Sequence, residues 1–338
     1  MKDKTKQKTT KTKATPQKAK PRAKTKITAK TKTEVKTKAV SKRAEDQRAI
    51  KYIVKTLYGY QKQRIAIMDR LGLKKDGTSK KVAVRKIAKS TVDLLTANYL
   101  DIKEKEKELV KLLGTFVVKF PIYTEFWRHI DGVAIITAGV LLSEINIHIA
   151  DTASKIHQYA GINAEPVRGK IRKQITKTKY EIITTDTWVP GDKKTPGFIC
   201  PYNQFLKTKV MGVMAANFRR KKNEYAMTFY YPDAKRRAAM DWGTANPKRK
   251  VDPKGPHQRN AALRYMMKKF LSDTYAVWRE LEGLPVRPPY QVEKLGHPPY
   301  SRITLHKEIM AKGTPIDISE DAICDEYFND EVEYEEAV

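Results

Sequence analysis

Residues 129–144, with the sequence HIDGVAIITAGVLLSE, give the clearest indication of the fold. Apolar residues recur at helical spacing on both sides of the Asp131-Gly132 break, which predicts two helices joined by a tight turn. A helix that restarts after a glycine leaves its first backbone N–H groups without intrahelical partners, and the helix dipole adds partial positive charge there. Such an end binds phosphate. The pattern is typical of a helix-hairpin-helix, and an ordinary helical hairpin packed into a core is the alternative interpretation.

Charge is distributed unevenly along the chain, which has a formal net charge of +30 over 338 residues. Residues 1–43 carry 17 Lys and Arg against Asp3 and Glu34, and they contain no aromatic residue. Such a segment cannot bury enough apolar area to offset the entropy of ordering it, so we expect a disordered basic arm. Residues 44–315 hold 51 basic and 26 acidic side chains. Residues 316–338 have ten acidic residues and no basic ones, which is typical of a disordered tail.

A cationic arm beside a basic folded body indicates a polyanionic partner, bound by neutralising phosphates and releasing counterions. No apolar run approaches the roughly 20 residues of a membrane span, and the arm lacks the bulky apolar residues of a membrane-binding helix. We therefore expect a nucleic-acid partner, no membrane partner, and a cytoplasmic, nucleoid-associated location. Charge alone leaves DNA and RNA both open.

The pattern of apolar residues predicts a mainly α fold with disordered termini. After the arm at residues 1–43, a helical extension with coiled-coil character is expected over residues 44–120, where a narrow apolar seam follows the charged run KEKEKELVK. Such a seam fits a coiled coil, which would join copies into a homo-oligomer, or an antiparallel helix pair, and a charge-laced surface helix of a monomer is an equal alternative. A compact helical domain containing the hairpin is expected over residues 121–290, followed by an extended segment and the acidic tail over residues 291–338.

Within the compact domain, three further helices and one small β-hairpin are expected. The helices are predicted at residues 151–159, 204–220 and 260–281. Thr152 or Asp151 is expected to cap the first of them, and a glycine is expected to end it. Residues 177–189 are rich in β-branched and aromatic residues, so they predict a short strand pair that turns near Gly191-Asp192.

Three motifs occur in order along this domain: GVAIITAGVLLSEI, the helix end YAGIN, and GFICPYNQFLKTKVMGVMA. In this order they resemble the C-terminal domain of Piv-invertase-type insertion-sequence transposases. The similarity covers residues 60–285, with residues 60–120 matching the family's coiled-coil linker. Asn203, Leu206 and Lys207 stand at the family's Gly-Asn-x-x-Leu-Arg helix start. The resemblance implies a domain that holds nucleic acid at a recombination synapse during transposition.

The family's catalytic groups have no counterpart that we can identify in this sequence. In the family, an N-terminal ribonuclease-H-like domain supplies four acidic metal-binding residues, and a serine attacks the DNA phosphate. Here a lysine-rich arm and helices precede the linker, and Arg168-Gly169 stands where Ser-Gly is expected. Arginine binds phosphate and cannot attack it. We therefore assign no catalytic residue.

Metal and cofactor sites are not expected either. The two cysteines, Cys200 and Cys324, and the six scattered histidines lack the spacing of a zinc site. Four carboxylates could gather around a metal, but capping and surface roles explain each of them: Asp131, Glu144, Asp151 and Asp186. Mg²⁺ would be required only if the chain were catalytic.

Basic residues near the motifs are the main candidates for function. Taken singly, each lysine fits a solvated surface, but unpaired like charges destabilise a fold, so the excess indicates a binding role. Aromatic residues are modest in number, and a base-stacking platform for single strands is not expected. The predicted nucleic-acid-binding residues are Gly132, Val133, Ala134, Thr137, Lys155, Arg168, Lys170, Arg172, Lys173, Lys177, Lys179, Asn203, Lys207, Lys209, Arg219 and Arg220.

These observations predict a DNA-binding protein that grips the phosphate backbone largely independently of base sequence and is not catalytic alone. One alternative is an active transposase or site-specific recombinase that works with a separate nuclease-like subunit. A second alternative is an RNA-binding or nucleoid-packaging protein that uses the same charge.

Overall fold

The computed structural model describes residues 24–73, 88–176, 178–239 and 256–288, together with positions 293 and 296. The chain divides into two compact units, Met1–Glu45 and Asp46–Val338. The described residues are mainly helical and include a two-stranded antiparallel β-hairpin, which confirms the predicted fold class. The predictions for residues 1–23, for the acidic tail and for most of the extended segment lie outside the described residues.

The helices and strands occur in the order α1 (Lys24–Leu71), α2 (Lys89–Val117), α3 (Pro121–Glu125), a 3₁₀ turn (Trp127–His129), α4 (Ile135–Glu144), α5 (Ala153–Tyr159), β1 (Pro166–Gln174), β2 (Tyr180–Pro190), α6 (Gln204–Thr208), α7 (Ala215–Lys221), α8 (Tyr231–Ala238) and α9 (Pro256–Leu281). A π-helical segment at Lys209–Met214 joins α6 to α7, and a second one at Ala226–Tyr230 leads into α8. The helices predicted at residues 151–159, 204–220 and 260–281 are all present, with small differences at their ends and, in the second, the π-helical segment between α6 and α7.

The start of α1 corrects the expectation of a fully disordered arm. Disorder was expected throughout residues 1–43, but residues 24–43 are helical. A helix that is already nucleated extends by one hydrogen bond for each residue it fixes, so elongation costs little once the packed part of α1 has formed. Lysine is also a good helix former. Low apolar content therefore did not imply an irregular backbone in this segment.

In the larger unit, α1 and α2 pack as an antiparallel pair. Asp46 lies 3.9 Å from Lys119, and further along the pair Arg64 binds Glu106. Beyond them, Ile67, Met68 and Leu71 of α1 form a small separate cluster with Tyr99 of α2. The helices expected at residues 44–120 are thus present as a pair within one chain. Their use for oligomerisation stays a prediction.

The main core surrounds α4. Residues 135–142 of this helix are all buried. A Cβ placed on Gly139 would lie 3.1 Å from Leu113 of α2 and 3.3 Å from Val54 of α1, so this glycine allows both helices to approach closely. On another side of the core, the rings of Trp127 and Trp278 meet edge to face, with centroids 5.4 Å apart. A helix that is apolar all round is buried all round, and α4 fits that rule.

The β-hairpin differs from the predicted one. A strand pair was expected within residues 177–189, turning near Gly191-Asp192, but that stretch supplies only one strand, β2. Its partner is β1, in an antiparallel register that runs from Pro166↔Pro190 to Gln174↔Tyr180. Gly191 lies at the root of the hairpin, where its N–H donates a 3.2 Å hydrogen bond to the carbonyl of Glu165. A hairpin is present, but its predicted position was wrong. A basic, mostly polar stretch such as β1 becomes a strand when a partner strand aligns with it.

A buried ion pair joins α1 to α2. The Nε of Arg64 lies 2.9 and 3.0 Å from the two carboxylate oxygens of Glu106, and the Glu106 residue is fully buried. Two charges removed from water in this way are held only by their mutual attraction and by further hydrogen bonds. The pair therefore fixes the register of the two helices, and losing one partner is costly.

We expect the variant Glu106→Ala to lower the free energy of unfolding by about 3–5 kcal/mol, because it leaves the Arg64 guanidinium buried without its carboxylate. Urea unfolding followed by circular dichroism measures this loss. The exposed carboxylate of Glu104, which pairs with Lys107 on the same helix, supplies the control. Glu104→Ala should change stability by less than about 1 kcal/mol.

The double variant Arg64→Met with Glu106→Leu should recover much of the lost stability, since it buries no charge. If Glu106→Ala were as stable as the original protein, the pair would have no structural role.

Candidate nucleic-acid interface

The β1–β2 hairpin has one half-buried face and one exposed face, because side chains alternate along each strand. Val167, Ile171, Ile183 and Val189 lie on the half-buried face. Gly169 also belongs to this face, where a Cβ would come within 2.6 Å of the Phe198 ring. The hairpin is thus seated on the protein through one side only, and the other side is open to solvent.

The exposed face carries three cations in a row on β1. Arg168, Lys170 and Arg172 are all exposed, and in the register they lie opposite Trp188, Thr184 and Ile182 of β2. The register shifts between Arg168 and Lys170, as in a β-bulge. A bulge increases the local twist of the strands. We call this surface the exposed hairpin face.

One carboxylate lies on this face. The Nη1 atom of Arg168 contacts Asp186 at 2.6 Å, and the guanidinium of Arg168 also lies 4.9 Å from the centre of the Trp188 ring. The guanidinium of Arg172 lies 5.6 Å from the Tyr180 ring. Among the described residues, no carboxylate forms an ion pair with Lys170 or Arg172. An exposed ion pair such as that of Arg168 is weak, so an incoming phosphate can displace Asp186 at small cost.

The turn of the hairpin adds further lysines. Lys173 is exposed near the end of β1, opposite Glu181. Lys179 is exposed in the turn, where its N–H donates to the Thr176 hydroxyl at 3.0 Å and its carbonyl accepts from Ile175 at 2.9 Å. Lys177 lies outside the described residues. The structure therefore describes five of the six cations predicted between Arg168 and Lys179, and Lys173 lies on the face of β1 opposite to Arg168, Lys170 and Arg172.

A second cluster of cations lies at the root of the hairpin, around Asp192. Arg264 of α9 binds the Asp192 carboxylate at 2.8 Å, and the Lys207 ammonium donates to the carbonyl oxygen of the same residue. Lys268 contacts the Asn163 side chain at 3.3 Å. Burial lowers the pKa of Lys207 and of Lys268, and in both cases the nearby Arg264 adds to the shift. Because these cations already bind groups of the protein, the root cluster serves mainly to anchor the hairpin.

Two predicted binding lysines are held elsewhere. Lys155 pairs with Asp151 one turn earlier at 2.9 Å, and its hydrogen bond lowers the pKa of that carboxyl. The ammonium of Lys209 lies 3.4 Å from the centre of the Tyr58 ring. Burial lowers the pKa of Lys209 to about 8. A lysine held against an aromatic ring and partly desolvated stabilises the contact between α1 and the π-helical segment.

Three other predicted residues make contacts within the fold. The Asn203 side chain caps α6 by accepting from the Leu206 N–H at 3.0 Å, and its amide donates to Glu144 at 2.5 Å. Arg220 donates to the Asn217 side chain at 2.9 Å. The backbone carbonyl of Arg219 accepts from the Tyr231 hydroxyl at 3.1 Å. Asn203 and Arg220 are thus occupied in positioning helices.

The expectation of exposed amides at the residue 129–144 bend is wrong. Gly132 is buried with φ +93°, and a Cβ there would lie 3.1 Å from Phe218 and 3.2 Å from Asn217. Val133 and Thr137 are also buried, Ala134 is half-buried, and the Thr137 hydroxyl donates to the Ala134 carbonyl at 2.8 Å. A phosphate cannot reach the first turn of α4, because that helix is apolar on every side and lies in the core. The helical hairpin packed into a core is the arrangement observed.

The carboxylates considered for a metal do not converge. Glu144 binds Lys51 at 3.2 Å, Asp151 binds Lys155, and Asp186 binds Arg168. Within the part of the chain that the structure describes, no group of three or more His, Cys, Asp or Glu side chains is placed to hold a metal ion.

Sequence reasoning missed a contact between α5 and α9. The Nε2 atom of His157 lies 3.0 Å from the Lys268 carbonyl and 3.2 Å from the Ser272 hydroxyl. Burial, followed by the charge of Lys268, lowers the pKa of His157 to about 4. The imidazole is therefore neutral at neutral pH. The contacts of His157 join α5 to α9. Because His157 and Ser272 are far apart in the sequence, no local pattern could have revealed the pair.

Sequence reasoning, which expected no base-stacking platform, also missed that Trp188 and Ile182 are exposed on the same face as the cations.

No protein-family model, curated protein or solved structure matches the chain. Among the described helices, none is long and apolar enough to cross a membrane. The interpretation of the site therefore rests on its own geometry and on the sequence motifs.

We expect Gly132→Ala to lower the free energy of unfolding by about 1–3 kcal/mol, because a side chain at positive φ is strained and the space beside Phe218 is tight. Gly59→Ala is the control, since a Cβ at Gly59 meets nothing within 4 Å in the middle of α1. That change should stabilise the protein by about 0.5–1 kcal/mol. Chemical denaturation of both variants measures the difference. A Gly132→Ala variant as stable as the original protein would show that neither the positive φ nor the ring of Phe218 constrains this position.

We expect the stability of the protein to fall as the pH is lowered from about 6.5 towards 4. Unfolded histidine takes up a proton near pH 6.5, whereas folded His157 does so only near pH 4, so acid favours the unfolded state. The contribution amounts to up to roughly 3 kcal/mol. His157→Gln should remove this part of the pH dependence, measured as the difference between unfolding free energies at pH 7 and pH 4.5. Identical pH profiles for the two proteins would show that His157 titrates normally.

Proposed function

We propose that this protein binds the sugar-phosphate backbone of nucleic acid, with double-stranded DNA as its partner, and that the exposed hairpin face makes the principal contact. The observation that carries the proposal is the row of Arg168, Lys170 and Arg172, exposed on one side of a hairpin whose other side is seated on the protein. Cations in this arrangement release counterions from a polyanion when they bind it.

The size of the hairpin fits a duplex. Its nine-residue strand β1 is roughly 30 Å long at about 3.3 Å per residue. The major groove of B-DNA admits a two-stranded β-ribbon. A ribbon of this length follows about one helical turn of the duplex, so the cations on its exposed face can lie against neighbouring phosphates.

The rest of the chain favours DNA over other polyanions. The net charge of +30 provides attraction at a distance, which is useful for a binder with little base specificity. The motifs from residue 132 onward resemble the C-terminal domain of transposases, whose substrate is DNA. The proposal includes no reaction, and the basic residues act by binding phosphate.

We expect the triple variant Arg168→Gln, Lys170→Gln and Arg172→Gln to weaken binding to a 20-base-pair duplex. The slope of log K against log[salt] should become shallower by up to about 2.7, because up to three phosphate contacts are lost. Fluorescence anisotropy titrations between 50 and about 200 mM salt measure both quantities.

The matched control is the triple variant Lys55→Gln, Lys62→Gln and Arg70→Gln. It removes the same number of positive charges, three, from exposed positions on α1. It lowers the net charge equally, so any difference between the two variants belongs to the hairpin. Equal slopes for both variants would contradict the proposal. Competition with structured RNA at the same salt concentration tests the choice of DNA, since tighter binding to RNA would transfer the proposal to that partner.

A further inference from the structure

The exposed hairpin face carries large apolar side chains as well as cations. Tyr180 is 53% exposed, and Ile182 and Trp188 are each 60% exposed. All three lie on the same face as Arg168 and Arg172, because the register pairs Arg168 with Trp188 and Arg172 with Ile182. Single exposed apolar residues are ordinary on protein surfaces, but a row of them on one strand indicates a contact surface.

Each aromatic ring on this face has an arginine beside it. The guanidinium of Arg168 lies 4.9 Å from the centre of the Trp188 ring, and that of Arg172 lies 5.6 Å from the Tyr180 ring. The contacts limit the motion of both partners, so each ring and its cation form a pre-arranged pair. Such a pair offers a flat apolar surface next to a charge that binds phosphate.

A nucleotide with an unpaired base matches that pair of groups. In a duplex, the faces of the bases are already covered by their neighbours, so the rings of Trp188 and Tyr180 gain little from it. An unpaired strand presents both a base face for the ring and a phosphate for the arginine. The two rings are eight residues apart on β2, which is roughly 26 Å, or about eight stacked nucleotides of a strand.

We infer that the exposed hairpin face holds single-stranded nucleic acid, with bases stacked on Trp188 and Tyr180 and phosphates bound by Arg168, Lys170 and Arg172. The inference rests on the proposed function, because the same cations must bind the backbone. It adds a form of ligand that the proposed function does not include. Unpaired DNA and unpaired RNA offer the same chemistry, and the experiment distinguishes them.

The test uses the full chain carrying Tyr180→Ala and Trp188→Ala, with four probes at one salt concentration. The probes are a 16-nucleotide oligo(dT), a 16-nucleotide oligo(rU), a 16-unit abasic deoxyribose-phosphate strand and a 16-base-pair DNA duplex. Stacking on an aromatic ring is worth about 1–3 kcal/mol per base. We therefore expect the variant to lose about 5- to 150-fold in affinity per ring for oligo(dT), oligo(rU) or both. Its affinities for the abasic strand and the duplex should be unchanged.

Two control variants separate stacking from folding. Trp188→Phe with Tyr180→Phe keeps both rings and should retain most of the affinity for the single strands. Tyr52→Ala removes an aromatic side chain that is 72% exposed on α1, and it should have no effect on any probe. Melting temperatures within a few degrees of the original protein confirm that the exposed substitutions leave the fold intact.

Each outcome decides the inference. A loss confined to probes with bases supports it, and a larger loss for oligo(dT) or for oligo(rU) identifies the source of the strand. An equal loss on the abasic strand, or no loss on any probe, overturns the stacking role and leaves phosphate binding standing. Failure of the original protein to bind any probe at low salt overturns both the inference and the proposed function. A change in self-association without a change in nucleic-acid binding would assign the face to a protein contact.

Discussion

The complete burial of α4 is the constraint on which the rest of the larger unit depends. A ten-residue helix whose residues 135–142 are all buried must be enclosed by other elements on every side. Gly139 lets α1 and α2 pack closely on one side. Near the start of α4, positive φ at Gly132 lets the backbone turn directly beneath Phe218. The same burial removes the helix start from solvent, so any contact with a polyanion has to be made by an element outside this core.

The β1–β2 hairpin lies outside this core, and its root ties it to the core. Val189 is buried, Gly191 donates to the Glu165 carbonyl, and Asp192 receives Arg264 from α9. These contacts hold one end of β1 and β2 in place, while the residues towards the turn have exposed side chains on both strands. A ribbon anchored at its root can present a face to a ligand without exposing the core. It also places its side chains at spacings set by the strand geometry rather than by a mobile loop.

The helices could be predicted from the sequence because their signals are local. The cap of α5 by Thr152, which accepts from Lys155 at 3.4 Å, and its end at Gly161 with φ +65° follow from neighbouring residues. The strand β1 could not be predicted in this way, since its two half-buried apolar residues, Val167 and Ile171, become meaningful only opposite β2.

The exposed hairpin face could not be predicted for the same reason, because it depends on the pairing of two separate segments. Arg168 and Trp188 are twenty positions apart in the sequence, and only the register brings them together. The burial of the residue 129–144 bend did carry a local signal, because IITAGVLL is apolar on every side of a helix. The resemblance to an exposed DNA-binding hairpin outweighed that signal in the prediction.

The distribution of cations follows from what burial costs them. Desolvation lowers the pKa of Lys207, Lys209 and Lys268, which shows that a lysine near the core loses part of its preference for the charged state. Each of these lysines contacts a carbonyl, a ring or an amide of the protein, and this contact partly compensates its charge. On the exposed face of β1, by contrast, Arg168, Lys170 and Arg172 stay in water, whose high dielectric constant weakens their mutual repulsion. A cation on the solvated face of a ribbon therefore destabilises the fold less than a cation near the core.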